Sequence, residues 1–384
     1  MSGQAKAGAE EKREFHTLNA LRGLAALAVV ALHYPEMFAS LKPTEAYLAV
    51  DLFFLMSGVV VAHAYDARLD SGLGAGTFLI KRICRLYPLF AIGTLVSICG
   101  VTAGLATGQP VTWTWSSLSI ATATSALFLP SPILPGKDEY LYPLNYPAWS
   151  LAYELIINFV YALSWRWLRG HWLTLVVVLA AIVLVAVSLS VGNLDQGARY
   201  SSMPAGAVRV TFSFFLGVAM SRACKRWHAP AVPTLLVVAA ATALLLFPVA
   251  EAWRSWYDAA CVVIGFPALV WLAIGIQPRR GVWLCTALGA ISYPIYILQV
   301  PSLLIVHNVF NRILASSIAP YVTVFGLVAI AGLIFLSWVL AVYIDPPLRR
   351  AAEAVAFGRR GAVSFRQHLN KRPASPLGNL HERS

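Results

Sequence analysis

The chain has 384 residues, of which 59% are hydrophobic and only 12% are charged, and its mean hydropathy is +0.69. A soluble domain carries about 25% charged residues, so this composition excludes an ordinary soluble protein. The net charge of +12 does not indicate a nucleic-acid partner, because most basic residues lie in the tail and in short loops between apolar runs, as membrane orientation requires.

The apolar runs predict an all-α integral membrane protein, a single bundle of about ten transmembrane helices. Each run is about long enough to cross a bilayer as a helix, which satisfies the hydrogen bonds of its own backbone. The predicted spans are 15–34, 45–65, 86–105, 148–168, 171–191, 204–221, 231–250, 256–275, 282–306 and 320–344. Residues 1–14 are predicted to be a disordered cytoplasmic N-terminus, 15–350 the membrane domain, and 351–384 a basic cytoplasmic tail able to touch anionic membrane lipids.

Segment 116–129 is an ambiguous further run, short and rich in serine and threonine. With ten crossings and a cytoplasmic N-terminus, 22 lysines and arginines fall inside and five fall outside. An eleventh crossing would move Arg166 and Arg169 outside, so the distribution of basic residues favours ten crossings with both termini cytoplasmic. Segment 106–147 is then predicted to be external, as a re-entrant or surface segment that could cap the bundle or contact a sugar.

The first span carries two ionisable residues, Arg22 and His33, which stand eleven positions apart. That spacing is three helical turns plus roughly 20°, so both lie on one face, about 16 Å apart along the axis. Each alone could be structural, the arginine snorkelling to the interface and the histidine ending the helix. Together they suggest the two ends of one polar pathway, because ionisable groups inside a membrane are costly.

Further polar residues follow in the next two spans. Asp51 and Ser57 lie in the sequence DLFFLMSG, where Ser57–Gly58 suits close helix packing at least as well as catalysis. Arg82 and Arg85 share one helical face at the predicted cytoplasmic entrance of the third span. They could clamp phosphates or serve, with Lys81, as ordinary anchors on the cytoplasmic side.

The fourth span opens with WSLAYE, which places Glu154 near the depth of His33. A carboxylate there could orient the imidazole and support its action as a general base. Glu154 could equally pair with Arg209 of the sixth span. The five cysteines have no metal or redox spacing, and no metal site is predicted.

These motifs, taken in order, resemble the membrane acyltransferase 3 family of bacterial proteins that modify cell-surface glycans and lipids. The resemblance rests on Arg22 and His33 with ten residues between them, followed by FFLMSG, RICRLYP, NYPAWSLAYE and SYPIYILQ. It implies a protein of the bacterial inner membrane with no bound cofactor. Cytoplasmic acyl-CoA, most often acetyl-CoA, would be the donor, and a hydroxyl of a glycan or lipid-linked glycan the acceptor.

The resemblance also implies roles for particular residues. His33 matches the proposed catalytic histidine and Arg22 its partner, while Glu154 falls in the WSLAYE element. The expected acyl-CoA side comprises Lys81, Arg82 and Arg85. The expected lining of the acceptor site or acyl channel comprises Phe53, Phe54, Ser57, Trp149, Ser150, Tyr293 and Gln299. Many members have histidine where this chain has Gln299, which puts a second-histidine role in doubt.

Two other classes of protein compete with the enzyme interpretation. A transporter would suit ten spans and intramembrane charges, but the sequence shows no repeat symmetry and no paired broken helices. A structural or assembly subunit would tolerate replacement of Arg22 and His33. The choice between direct transfer and a covalent acyl intermediate stays open.

Overall fold

The computed structural model describes residues 14–34, 43–108, 112–135, 139–227, 230, 232–276, 278, 280–313 and 322–370. Nearly all of the predicted N-terminal segment 1–14, and the tail from residue 371, lie outside these residues. Within the described ranges the regular structure is helical, with one isolated β-bridge between Tyr140 and Arg199. The all-α prediction is confirmed for this part of the chain.

Thirteen α-helices, α1 to α13, account for the described fold. They are His16–His33, Ala49–Asp70, Ala75–Ala106, Trp115–Ala126, Ala148–Ser164, His171–Val191, Met203–Ala223, Thr234–Leu246, Arg254–Ala260, Phe266–Gly275, Val282–Ile313, Val322–Val339 and Asp345–Asn370. A π-helical turn joins α9 to α10, and a second one joins α12 to α13. The predicted domain boundary at residue 350 therefore lies inside a helix.

Seven helical segments of the described chain are long and apolar enough to cross a membrane. They are Ala46–Asp70, Ala75–Ala106, His171–Val191, Tyr200–Ala223, Glu251–Gly275, Val282–Ser302 and Thr323–Gly358. Helices α5 and α8 are apolar but shorter. The chain is a multi-pass helical membrane protein, and the count of ten crossings stays a prediction.

Helices α1 and α4 differ from these seven for separate reasons. The 18 residues of α1 include the polar residues His16, Asn19, Arg22 and His33, which lower its hydropathy. Helix α4 has 12 residues, and all of them except Trp115 fall within the ambiguous segment 116–129. A helix of that length spans about 18 Å, less than the roughly 30 Å of a hydrocarbon core. This agrees with leaving α4 out of the crossings, while an external position for it stays a prediction.

The helices sort into a central group and a peripheral group. Helix α1 packs along α11, α2 packs along α7, and α3 contacts α5, α11 and α13. Helix α2 is mostly buried, whereas α6 and α12 expose most of their apolar surface, including Ile182 and Phe335. In a bilayer such exposed surface faces lipid, so α6 and α12 lie at the periphery of the bundle, whereas α2 and the α7 that packs along it lie in its interior.

Two glycines allow α2 and α7 to approach each other closely, which confirms the packing interpretation of Ser57–Gly58. A Cβ atom added at Gly58 would lie 2.0 Å from the carbonyl oxygen of Phe214, and one at Gly217 would lie 2.2 Å from that of Leu55. Small residues at helix interfaces are the usual means of such close packing in membranes.

We expect Gly58→Ala to destabilise the protein by about 1–3 kcal/mol or more, because the added methyl group meets backbone that cannot move aside. The measurement is the apparent melting temperature of the purified protein. It is the temperature at which the size-exclusion peak of the folded protein falls to half its height after heating. Gly100→Ala is the matched control, since a Cβ at Gly100 on α3 meets no atom within 4 Å. Equal melting temperatures for the two variants would contradict the close contact.

A buried ion pair also joins α2 to α7. The Arg209 Nε atom lies 3.2 Å from Asp51 Oδ1, and Nη2 lies 2.5 Å from Oδ2, with both side chains almost completely buried. Arg209 Nη1 donates to the Gln196 carbonyl oxygen at 2.6 Å. The Asp51 carboxylate is therefore engaged in holding two helices together, and Arg209 is not available to Glu154.

Candidate active site

Two neighbouring cavities in the bundle collect most of the predicted site residues. The arginine cavity has a volume of about 390 Å³, and its charged lining consists of Arg22, Arg82, Arg85, Glu154, Asp345 and Arg349. The histidine cavity has a volume of about 210 Å³, and its lining includes His33, Tyr140, Tyr146, Trp149 and Arg199. Arg22 and His33 thus open into different cavities from the two ends of one helix, α1.

The arginine cavity carries an excess of positive charge. Four arginines against two carboxylates leave two net positive charges among its described lining residues. Arg82 forms an ion pair with Glu154, and the Ser57 hydroxyl donates to the same carboxylate oxygen at 2.8 Å. This arrangement holds the Arg82 guanidinium in place on α3.

Glu154 does not contact His33 in the structure, and the interpretation in which it orients the imidazole or pairs with Arg209 is corrected. Its carboxylate belongs to the arginine cavity, although Trp149, on the same helix, lines the histidine cavity. Trp149 and Glu154 are five positions apart, so their side chains point in directions about 140° apart around the helix axis. Glu154 therefore faces α3, and it acts as a positioning residue for Arg82.

Arg22 and Arg85 stand apart from the other two arginines of this cavity. Among the described residues, neither guanidinium has a hydrogen-bond or ion-pair partner, although Glu154 and Arg82 lie near enough to act electrostatically on both. A guanidinium inside a membrane protein is costly unless an anion or water compensates it. These two residues are the strongest sign that the cavity accepts an anion.

The start of the third helix needs a correction, while the cytoplasmic position of its basic cluster stays a prediction. The third span was predicted to begin at residue 86, which places Lys81, Arg82 and Arg85 at its entrance. Helix α3 begins at Ala75, so all three lie within the helix. Lys81 is buried but lines neither of the two cavities.

His33 is surrounded by aromatic and amide groups in the histidine cavity. Its ring meets the Tyr146 ring edge-on at 5.1 Å, and Tyr146 stacks on Tyr140 at 4.8 Å. The Gln299 side chain is its polar neighbour. The His33 Nδ1 atom and the Gln299 Oε1 atom are buried, and both lack a hydrogen-bond partner within the part of the chain that the structure describes.

Val50 and Tyr296 separate the two cavities, since each lines both of them. The Tyr296 hydroxyl lies 2.8 Å from Ser150 Oγ, and its ring contacts Phe53 with a centroid distance of 5.6 Å. These two side chains are therefore lining that the two cavities share.

The other predicted lining residues divide between the cavities. The arginine cavity is lined by Phe53, Phe54, Ser57, Ser150 and Tyr293, and the histidine cavity by Trp149. Gln299 lines neither, and its amide nitrogen donates to the Tyr296 carbonyl oxygen at 3.1 Å.

Sequence reasoning missed several residues of both cavities. Arg349 and Asp345 enter the arginine cavity from α13, and Tyr140, Tyr146 and Arg199 surround the histidine cavity. Arg349 was counted only as a positive charge at the cytoplasmic end. The aromatic sequence around Tyr140 and Tyr146 was a usable signal, because it had suggested a surface able to contact a sugar.

These features define a multi-pass helical membrane protein with a basic cavity beside a histidine cavity. The family model for an acyltransferase domain, acyltransferase 3, matches residues 15–342, and the chain belongs to this membrane acyltransferase family. The chain is also similar to protein 2 in the picA locus of Rhizobium radiobacter, with 40% identity over 190 residues, 45% of this chain and 94% of that protein. No solved structure matches the chain.

Proposed function

We propose that the protein is an O-acyltransferase that moves an acyl group, with acetyl as the first candidate, from cytoplasmic acyl-CoA to a hydroxyl of a cell-envelope glycan. One observation carries the proposal. The excess guanidinium charge of Arg22 and Arg85 lies in one cavity, and the His33 imidazole lines a second cavity that shares Val50 and Tyr296 with the first. A charged donor and a hydroxyl acceptor can therefore approach one reaction centre from opposite sides.

The arginine cavity suits the donor. Coenzyme A carries a diphosphate and a 3′-phosphate, and arginine is the side chain best matched to phosphate because its planar guanidinium donates in pairs. In the proposed bound state, phosphates compensate Arg22 and Arg85, and the pantetheine arm extends past Phe53 and Phe54 towards Tyr296. This orientation places the arginine cavity on the cytoplasmic side of the inner membrane.

The histidine cavity suits the acceptor. Tyr140 and Tyr146 present flat rings with polar edges beside His33, and such side chains combine apolar contact with hydrogen bonding. A sugar ring placed against them brings a hydroxyl to the imidazole. Arg199, whose guanidinium lies over the Tyr140 ring at 5.4 Å, adds a positive charge at this side.

The chemistry then follows as a direct transfer. The His33 imidazole takes the proton of the acceptor hydroxyl, and the oxygen attacks the thioester carbonyl carbon. The carbon–sulfur bond breaks as the ester forms, and the thiolate of coenzyme A receives the proton from the imidazolium. In the proposed transfer the reacting carbonyl lies beside Tyr296, which lines both cavities. A single histidine thus returns to its starting state in each cycle.

The proposal is tested with the purified protein in nanodiscs, radiolabelled acetyl-CoA and a panel of glycans. We expect label to appear on a glycan in an ester that mild alkali removes, with empty nanodiscs giving none. Absence of transfer across a panel of acyl-CoAs and glycans would contradict the proposal. Movement of a substrate into proteoliposomes without cleavage of acyl-CoA would instead indicate a transporter.

We expect Arg85→Ala to raise the KM for acetyl-CoA by about 10- to 100-fold, the value of one hydrogen bond to a charged group, with kcat little changed. The loss should be confined to donor binding because Arg85 lies away from the histidine cavity. Initial rates over a range of acetyl-CoA concentrations measure it. Arg166→Ala, which removes an exposed arginine after α5, is the matched control. An equal KM for the two variants would contradict the role of Arg85.

A further inference from the structure

Helix α13 contributes one wall of the arginine cavity. Asp345 and Arg349 line the cavity and are four residues apart, so they share one face of α13, and Ala341 of the preceding π-helical turn lines the cavity as well. The family model ends at residue 342, so Asp345 and Arg349 lie beyond it. The cavity is therefore completed by a part of the chain outside the matched domain.

The local sequence explains the π-helical turn that precedes α13. Pro346 and Pro347 have no amide hydrogen to donate to the carbonyl groups one turn earlier. The chain widens into the π-helical turn Leu340–Ile344 and then resumes as α13. Such π-helical turns occur frequently at functional sites. Helix α13 then packs against α3, the helix that carries Arg82 and Arg85.

Asp345 holds Arg349 in a defined orientation. The Arg349 Nε atom donates to Asp345 Oδ1 at 2.8 Å, and Nη2 pairs with the other carboxylate oxygen. The Arg349 side chain is 33% exposed, against 8% for Asp345. The Nη1 atom has no acceptor among the described residues, so the guanidinium retains donors for a ligand in the cavity.

Electrostatics connects Arg349 with the unpaired arginines. Its charge acts on both Arg22 and Arg85, which places three guanidinium groups around one space. Like charges gathered in this way repel one another, and a polyanion relieves that repulsion at all three sites. An arginine that served only to orient the protein in the membrane would not need to face the cavity.

We infer that Arg349 binds a phosphate group of the coenzyme A donor, so that α13 is part of the donor site. The inference rests on the proposed function for the identity of the donor. In this arrangement Asp345 presents the guanidinium while the cavity is empty, and the phosphate takes the donors that Asp345 leaves free.

The test measures binding of coenzyme A itself by isothermal titration calorimetry, with the protein in nanodiscs made of lipids that carry no net charge. We expect Arg349→Ala to weaken binding by about 10-fold or more. Arg350→Ala is the matched control, because it removes the same charge from the next, exposed position of α13 and should change the Kd less than twofold. Arg349→Lys, which keeps the charge but loses the paired donors, should give an intermediate Kd and serves if the alanine variant does not fold.

Dephospho-coenzyme A identifies the group that is bound. Loss of affinity for coenzyme A alone assigns Arg349 to the 3′-phosphate, and loss for both ligands assigns it to the diphosphate. Equal affinities of the Arg349→Ala and Arg350→Ala variants for both ligands would overturn the inference while leaving the proposed reaction intact. Weakened binding in a protein that transfers no acyl group would support Arg349 and overturn the reaction. A wild-type protein that binds no coenzyme A would overturn both.

Discussion

Replacing His33 with alanine is expected to reduce the rate of acyl transfer by about 10²- to 10⁴-fold, the usual contribution of a general base. In the proposed reaction the His33 imidazole, which lines the histidine cavity, accepts the proton of the acceptor hydroxyl. Coenzyme A binding should stay within about twofold of the wild-type value, because the proposed bound state has the phosphates in the arginine cavity, about 16 Å from His33 along α1.

The measurement is transfer of labelled acetyl groups by the His33→Ala variant, with coenzyme A binding measured on the same preparation. His171→Ala removes a histidine from the exposed start of α6 and should transfer acetyl groups at the wild-type rate. Full transfer activity of the His33→Ala variant would remove this residue from the mechanism. A loss of both activity and coenzyme A binding would indicate damage to the fold instead.

Replacing Asp51 with asparagine is expected to destabilise the protein by about 3–5 kcal/mol, the cost of leaving one partner of a buried pair uncompensated. The side chain keeps its shape, but the Arg209 guanidinium remains charged and almost completely buried between α2 and α7. Its other acceptors are the backbone carbonyl oxygens of Gln196 and Tyr47, which carry no net charge. We expect a large decrease in the apparent melting temperature.

Two further variants separate the buried pair from a general effect of the substitution. Asp70→Asn makes the same change in an exposed ion pair with Arg169 and should cost about 0–1 kcal/mol. The double variant Asp51→Leu with Arg209→Met removes both charges and should recover much of the stability lost in Asp51→Asn. If the loss of stability in this double variant equalled the sum of the losses from Asp51→Leu and Arg209→Met made singly, a direct pair would be contradicted.

The pair also matters for the proposed reaction because Arg209 lines the histidine cavity. Its guanidinium lies over the Trp149 ring at 5.6 Å, and Trp149 is a wall of the same cavity. The structure thus contains two kinds of arginine. Arg209 is compensated by a carboxylate and holds helices together, whereas Arg22 and Arg85 line a cavity without a hydrogen-bond or ion-pair partner in the described part of the chain.

The amino-acid sequence by itself determined the class of the protein. Composition and the length of the apolar runs excluded a soluble fold, because a backbone in lipid satisfies its hydrogen bonds most simply as a helix. The spacing of Arg22 and His33 placed them on one face at opposite ends of α1, since helical geometry is local. The ordered motifs also predicted the family, which the match over residues 15–342 confirmed.

Only the tertiary structure decided which side chains meet. It paired Glu154 with Arg82 and Arg209 with Asp51, and it brought Arg349 from α13 into the arginine cavity. Sequence distance is no guide here, because 72 residues separate Glu154 from Arg82 and 158 separate Arg209 from Asp51. The rotation of each helix about its axis and the register between helices decide these partners, and both arise from packing across the whole bundle.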